Sequence, residues 1–461
     1  MAPPKPVTAP AAARPDRRRD RRARQPDEGD NLGADMAGSA ARGESSEAHP
    51  IAWRRNLYAI LIAQTLAIVG FSLRVPFLPF YLKDLGVSSV DGQALWSGFI
   101  NAGGAGVMAI TAPIWGIVAD RRGRRPMLLR AMFAATCTVG LMGLATQPWH
   151  LLALRFVEGA LTGTVTASTA LVAASTPKPR LGFALGMVQT AVFAGASLGP
   201  FFGGVLADRI GYRATFAVAA LMLASAGLIV LFVVRERFVP APPRPATSRR
   251  AAWRGAVAFV FGGAMLTMAM TMLVVRFASS AIQPILPLFV EQLAPNTRDP
   301  SSLAGLVLGV LGLSSALSAV VLGRLGDRTG HRRILISCAL ASGLLYLPMA
   351  VTQHPWQLIV LLGLFGVAAG GLIPAANALV ANVTSPAQRG VVYGTMAAAA
   401  SLGGFIGPLT GAAVAATLGF RATFVATAFV LLGLAAMVTR RGAMVQSEQP
   451  TGPRLETGEG S

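Results

Sequence analysis

Between residues 57 and 439 the chain returns again and again to apolar runs of twenty or more residues. Each is long enough, at about 1.5 Å of rise per residue, to cross a hydrocarbon core of about 30 Å as a helix. Lipid offers no hydrogen bonds to a free backbone, and the runs far exceed the length of membrane-barrel strands, so the spans must be helices. Charged residues make up only 13% of the 461, against about a quarter in soluble domains. The fold class is therefore an all-α membrane protein. Cys137 and Cys338 both lie inside apolar runs, so neither a disulfide framework nor a cysteine metal site is indicated.

Twelve transmembrane helices are expected, in two sets of six: 57–82, 95–119, 126–147, 149–174, 183–207 and 214–234, then 261–290, 303–322, 334–353, 356–381, 391–416 and 422–439. The corresponding organisation is a disordered tail (1–52), a six-helix bundle (53–234), a Pro-rich basic linker (235–254), a second six-helix bundle (255–440) and a polar tail (441–461). The net charge of +20 would ordinarily suggest nucleic acid, but its placement argues otherwise. With the N-terminus in the cytoplasm, the outer loops hold only Lys83, Arg209, Arg213, Arg298 and Arg421, and most other basic residues fall inside. The positive-inside rule thus puts both termini in the cytoplasm of an inner-membrane protein and leaves no role for nucleic acid. The Arg17 to Arg24 cluster faces anionic lipid or solvent, no apolar signal core follows it, and Met36 offers a second start to translation.

Sliding the second set onto the first gives register at offsets of 207 to 209. Pro76 and Pro79 fall on Pro284 and Pro287, Gly199-Pro200 on Gly407-Pro408, and Arg213-Ala-Thr-Phe216 on Arg421-Ala-Thr-Phe424. Two pseudo-symmetric six-helix halves that each enter from the same side form a parallel repeat about the membrane normal. The loop after span 2 reads Gly116-Ile-Val-Ala-Asp120-Arg121-Arg-Gly123-Arg124-Arg125, and its second-half counterpart carries Gly323, Asp327, Arg328 and Gly330. Span 4 carries Arg155-Phe-Val-Glu158-Gly159, and span 5 carries Gly195, Gly199-Pro200 and Gly203-Gly204. Over about residues 54–440 these motifs resemble the major facilitator superfamily, and within it the twelve-span drug/proton antiporter branch. Glu158 stands where that branch usually has Gln.

The resemblance implies alternating access without enzyme activity. It also implies a gate at Asp120, Arg121, Gly123 and Arg124, repeated at Asp327 and Arg328, that stabilises the outward-open state, and an antiport role for Gly199 and Pro200. The same glycine stripe would also serve plain close packing of helices. A charge at mid-bilayer is costly, so Arg74, Arg155, Glu158 and Arg276 are functional candidates by default. Arg155 and Glu158 are three apart on one helical face. An acid that trades an arginine for a drier surrounding changes its proton affinity, so this pair is the proton-coupling candidate; the alternative is a static pair that holds the helix. Arg74, Gln64, Phe71, Asn101, Gln189, Arg276, Gln283 and Asn377 are the substrate-cavity candidates, against the alternative of helix-to-helix glue.

No Walker loop or metal-ligand cluster occurs, and no cofactor is called for. The expected partners are a small-molecule substrate, protons and the lipid bilayer, with the chain a monomer. The expected function is export of small amphipathic or lipophilic compounds, hence drug efflux, in exchange for protons. The alternatives are an exporter or facilitator of a polar metabolite such as a sugar or amino acid, and a non-transporting membrane receptor.

Overall fold

A computed structural model describes residues 50–236, 238, 263–383 and 389–447. Most of the segments read as tails and linker lie outside these. Among the described residues there are sixteen α-helices, one 3-10 turn and no strand. The first half comprises α1 (Pro50–Ser72), α2 (Leu78–Asp84), α3 (Val90–Arg122), α4 (Arg124–Met142), α5 (Pro148–Leu161), α6 (Thr164–Ser175), α7 (Leu181–Ile210) and α8 (Tyr212–Val233). The second comprises α9 (Gly263–Ala281), α10 (Leu286–Leu293), α11 (Pro300–Thr329), α12 (His331–Met349), α13 (Pro355–Gly370), α14 (Leu372–Val383), α15 (Arg389–Leu418) and α16 (Phe420–Ser447).

Spans 1, 4, 7 and 10 are each built of two helices. Pro76 and Pro284 lack a backbone donor and lie in the breaks between α1 and α2 and between α9 and α10. Gly163, at φ 129°, opens the break between α5 and α6. Among the described residues, eleven helical segments are long and apolar enough to cross a membrane. The remaining expected span is α4, where Arg124, Arg125 and Arg130 share a short helix with Thr136 and Thr138. Its apolar face of Leu128, Met132, Ala135 and Val139 is nonetheless fully buried. At the C-terminal end, α16 continues to Ser447, past residue 439 and into the segment read as tail.

The sequence repeat reappears as repeated hydrogen bonds. The Arg125 guanidinium donates to Leu231 O and that of Arg332 to Val438 O; Arg213 donates to Ala145 O and Arg421 to Thr352 O. Within each half a glycine stripe presses one helix onto another. A Cβ on Gly195 would meet Ile68, one on Gly199 would meet Ser72, and one on Gly203 would strike Leu73 O, so α7 lies backbone to backbone on α1. Gly403, Gly407 and Gly411 do the same for α15 on α9, against Leu273 O, Ser280 and Ala281 O.

The halves meet along two crossings. Gly98 of α3 fits against Pro408 and Ala412 of α15, and Gly106 against Phe405. Gly204 of α7 fits against Ser301, and Gly305 of α11 against Pro200. These contacts run from the middle of the helices, at Gly106 and Phe405, toward the end opposite the two Asp-Arg loops. Toward the loop end the same four helices part. A cleft of about 680 Å³ opens between α7 and α11, and one of about 530 Å³ between α3, α6 and α15.

Candidate functional site

At the break in span 1, Pro76 supplies no amide hydrogen, and the chain turns through residues 73–77 before α2 begins. That turn carries Arg74 inward, where it is 8% exposed. Its Nη2 donates to Glu158 Oε1 at 3.0 Å, and Arg155 Nη1 donates to the same oxygen at 2.9 Å. Arg155 also donates through Nε to Ile100 O at 3.3 Å. The three side chains therefore tie span 1, span 2 and span 4 together. Glu158 is 3% exposed, and its second oxygen, Oε2, is buried with no hydrogen-bond partner. Arg74 Nη1 is likewise buried and unpartnered. Removing Glu158 would strand two buried arginines, at a cost of about 3–5 kcal/mol. The i,i+3 spacing made the Arg155–Glu158 pair legible in sequence; the second arginine, 84 residues away, was not.

Beside this triad a cavity of about 460 Å³ lies between the halves, lined by Asn101, Arg155, Arg276, Gln283 and Tyr346 among others. The cavity candidates thus separate. Asn101, Arg276 and Gln283 line it. Arg74 does not belong with them, because it is withdrawn onto Glu158. Phe71 lies under the Arg74 guanidinium, 5.9 Å from ring centroid to Cζ. Gln64 is fully buried and donates to Thr164 Oγ1 at 3.4 Å, so it joins span 1 to span 4. Gln189 faces the cleft between α7 and α11, and Asn377 is exposed on α14.

The gate candidates are placed as follows. Asp120 is exposed at the mouth of the cleft shared by α3, α6 and α15, without an ion pair among the described residues, and Arg121 and Arg328 are exposed too. Gly123 turns the chain at φ 94°, a left-handed conformation. The Arg124 amide donates to Glu236 Oε1 at 2.9 Å and the Arg125 amide to Glu236 Oε2 at 2.7 Å, so Glu236 caps α4 from beyond α8. In the second half Asp327 contacts His331 Nε2 at 3.3 Å instead. Gly199 packs on α1, while the Pro200 carbonyl faces Gly305 across the halves.

Two capping carboxylates are not singled out by the sequence. Asp208, at the end of α7, accepts from the Ser302 amide of α11 at 2.6 Å and so caps a helix of the opposite half. Glu236 is the other. Each is a lone acid among arginines at a helix end, as Asp208-Arg209 and Arg235-Glu236-Arg237 show, and that pattern was the available signal.

Two bundles with a cavity between them, apolar along much of its wall and carrying a few polar groups, are the arrangement of a carrier, and sequence comparison agrees. The model of the Major Facilitator Superfamily matches residues 60–296 and 268–457. The chain belongs to the major facilitator superfamily. It is 38% identical over 383 residues to the multidrug resistance protein MdtG of Dickeya zeae, covering 83% of this chain and 93% of that one. It is 39% identical over 388 residues to MdtG of Citrobacter koseri, covering 83% and 94%. Among solved structures, a bacterial homologue of the human lysosomal transporter Spinster, inward-facing and unoccupied, matches with a TM-score of 0.70 at 15% identity, over 87% of this chain and 98% of that chain. The human organic anion transporter MFSD10 matches with a TM-score of 0.65 at 20% identity, over 84% and 99%. These two likenesses are likenesses of fold.

Proposed function

We propose that this superfamily member is an inner-membrane multidrug exporter that exchanges small amphipathic or lipophilic compounds for protons by alternating access, with Glu158 as the proton carrier. The MdtG relatives support the efflux reading. The observation that carries the residue assignment is the divided carboxylate. Oε1 holds two arginines from two spans, while Oε2 is buried and free to take a proton. Protonation there releases Arg74 and Arg155 and loosens span 1 from span 4. In this way proton binding acts on the packing of the first half.

The loop motifs and their arginines face the cytoplasm under the positive-inside rule. The open clefts then face the cytoplasm, and the crossings at Gly98 and Gly204 close the outer side. In this inward-open arrangement Asp120 stands free. In the outward-open form the parted ends of α3 and α15 meet, and Asp120 comes against the start of α15, where a carboxylate is favoured.

The test is drug-driven proton release from energised everted vesicles. Glu158→Gln is expected to abolish it, while Glu291→Gln, at the outer end of α10, retains it. Normal exchange in a folded Glu158→Gln protein would overturn the carrier assignment. Reporter fusions that place the two termini on opposite sides of the membrane would overturn the orientation.

A further inference from the structure

Of the four charges embedded in the spans, three neutralise each other in part, and one stands alone. Arg276 of α9 is exposed to the central cavity, and its guanidinium makes no hydrogen bond or ion pair among the described residues. The other charged side chain on the cavity wall is Arg155, and no Asp or Glu lines the cavity. A guanidinium exposed to a cavity that has a second guanidinium and no carboxylate on its walls gives that cavity a positive potential, which favours an anionic occupant. The repeat sharpens the point. At the offset of 208 that aligns Pro76 with Pro284, Arg276 corresponds to Ile68. The second-half partners of Arg74, Arg155 and Glu158 are Ile282, Leu362 and Phe365, and all three of these line the cavity. One wall is thus an apolar copy of the other wall's ion cluster, with a free cation at its edge.

We propose that the cavity takes amphipathic anions, with Arg276 pairing to the carboxylate or sulfonate of the cargo and Leu362, Phe365 and Ile282 receiving its apolar body. This rests on the exporter reading and names the cargo class of that same cavity. A lipophilic cation would meet two guanidiniums and no carboxylate there. A neutral compound would leave Arg276 without its counter-charge. Because the proton sits on Glu158 and the anion on Arg276, exchange is coupled through the helices that Arg74 and Arg155 tether, and not by competition for one charge.

The experiment uses three probes that share one fluorophore: dansylglycine (anion), dansylamide (neutral) and dansylcadaverine (cation). Accumulation in energised everted vesicles and binding to purified protein in nanodiscs are both measured. Wild type is expected to bind and accumulate dansylglycine in preference to the other two. Arg276→Gln should weaken dansylglycine binding about 10- to 100-fold, as expected for losing a hydrogen bond to a charged group, with Arg276→Lys intermediate and dansylamide little changed. Melting curves of each variant report whether it is folded. Wild type that carries dansylcadaverine or dansylamide in preference, or a folded Arg276→Gln protein that binds dansylglycine as wild type does, overturns the anion assignment and leaves the exporter standing. Wild type that moves none of the probes, and releases no protons on adding any of them, overturns both.

Discussion

Asp208→Ala isolates the contact that holds the two halves together with a charge. The carboxylate accepts from the Ser302 amide at 2.6 Å, and that amide lies in the first turn of α11 (Pro300–Thr329), where the unpaired donors of a helix gather. A hydrogen bond to a charged group contributes about 1.5–3 kcal/mol, and a charge at a partly buried helix N-terminus up to about 2 kcal/mol. Opening this end hydrates both partners, and Asp208 is only half-buried, so a net of about 1–2 kcal/mol in favour of the joined form is the appropriate figure. That corresponds to about a 5- to 30-fold shift in the ratio of the two forms. The assay is distance measurement between spin labels on Ser88→Cys and Gln353→Cys, exposed positions at the joined end of the two halves, with Cys137 and Cys338 replaced. The long-distance population should grow by that factor in Asp208→Ala. Asp208→Asn, which keeps an acceptor and loses the charge, should fall between. A distance distribution unchanged within twofold in Asp208→Ala, or one equally altered in both variants, refutes the reasoning.

Glu236→Ala removes the two carboxylate oxygens that cap α4; it should cost about 1 kcal/mol and lower the thermal midpoint by a few degrees, read by melting the purified protein. Glu236→Gln should recover part of that loss. Gly203→Ala would drive a methyl into Leu73 O, so α7 must lift from α1 at a cost of about 1–3 kcal/mol, and the yield of monodisperse protein in size-exclusion chromatography should drop. Gly116→Ala, where a methyl meets open space, should leave the yield at the wild-type level. Glu158→Met strands Arg74 and Arg155 without a counter-charge and should cost several kcal/mol, whereas Arg74→Met keeps the Arg155–Glu158 pair and should cost less, both read by melting the purified protein.

The twelve spans were legible because lipid imposes one rule on every segment, namely length and apolarity, and α4 shows where that rule thins. There Arg124, Arg125 and Arg130 lower the apolar signal, while the fully buried Leu128 and Met132 keep the helix in place. The Arg155–Glu158 pair was legible for the same kind of reason, since helical geometry fixes i,i+3 neighbours before any tertiary structure is known. Arg74 was assigned to the cavity because sequence places it on span 1 without saying which way the Pro76 turn points it. Asp208 and Glu236 were passed over because a carboxylate at a helix end is ordinary until its acceptor oxygens are seen on another helix's amides. Such long-range capping has no local pattern beyond the isolated acid itself.

In the proposed exchanger, the departures from the repeat are where the chemistry lies. Where the halves keep the same residues, they make the same scaffold: Arg125 and Arg332 each reach a late carbonyl of the sixth helix of their half, and Gly203 and Gly411 each receive a backbone from the first. At four of the positions where they differ, one half carries a charge and the other an apolar side chain. Glu158 faces Phe365 in the alignment, Arg155 faces Leu362, Asp208 faces Ala416, and Arg276 faces Ile68. A symmetric pair of ion clusters would fill the midplane with four arginines and two acids and leave no apolar wall for cargo. A symmetric pair of apolar walls would leave no site for a proton. Under the proposed function, dividing the roles lets one bundle hold the proton and the other present the cavity's apolar face, with Arg276 at its edge. Alternating access needs the two bundles to pivot alike, and exchange needs them to bind differently. The duplication supplies the first, and in the proposed exchanger the departures at Arg155, Glu158 and Arg276 supply the second.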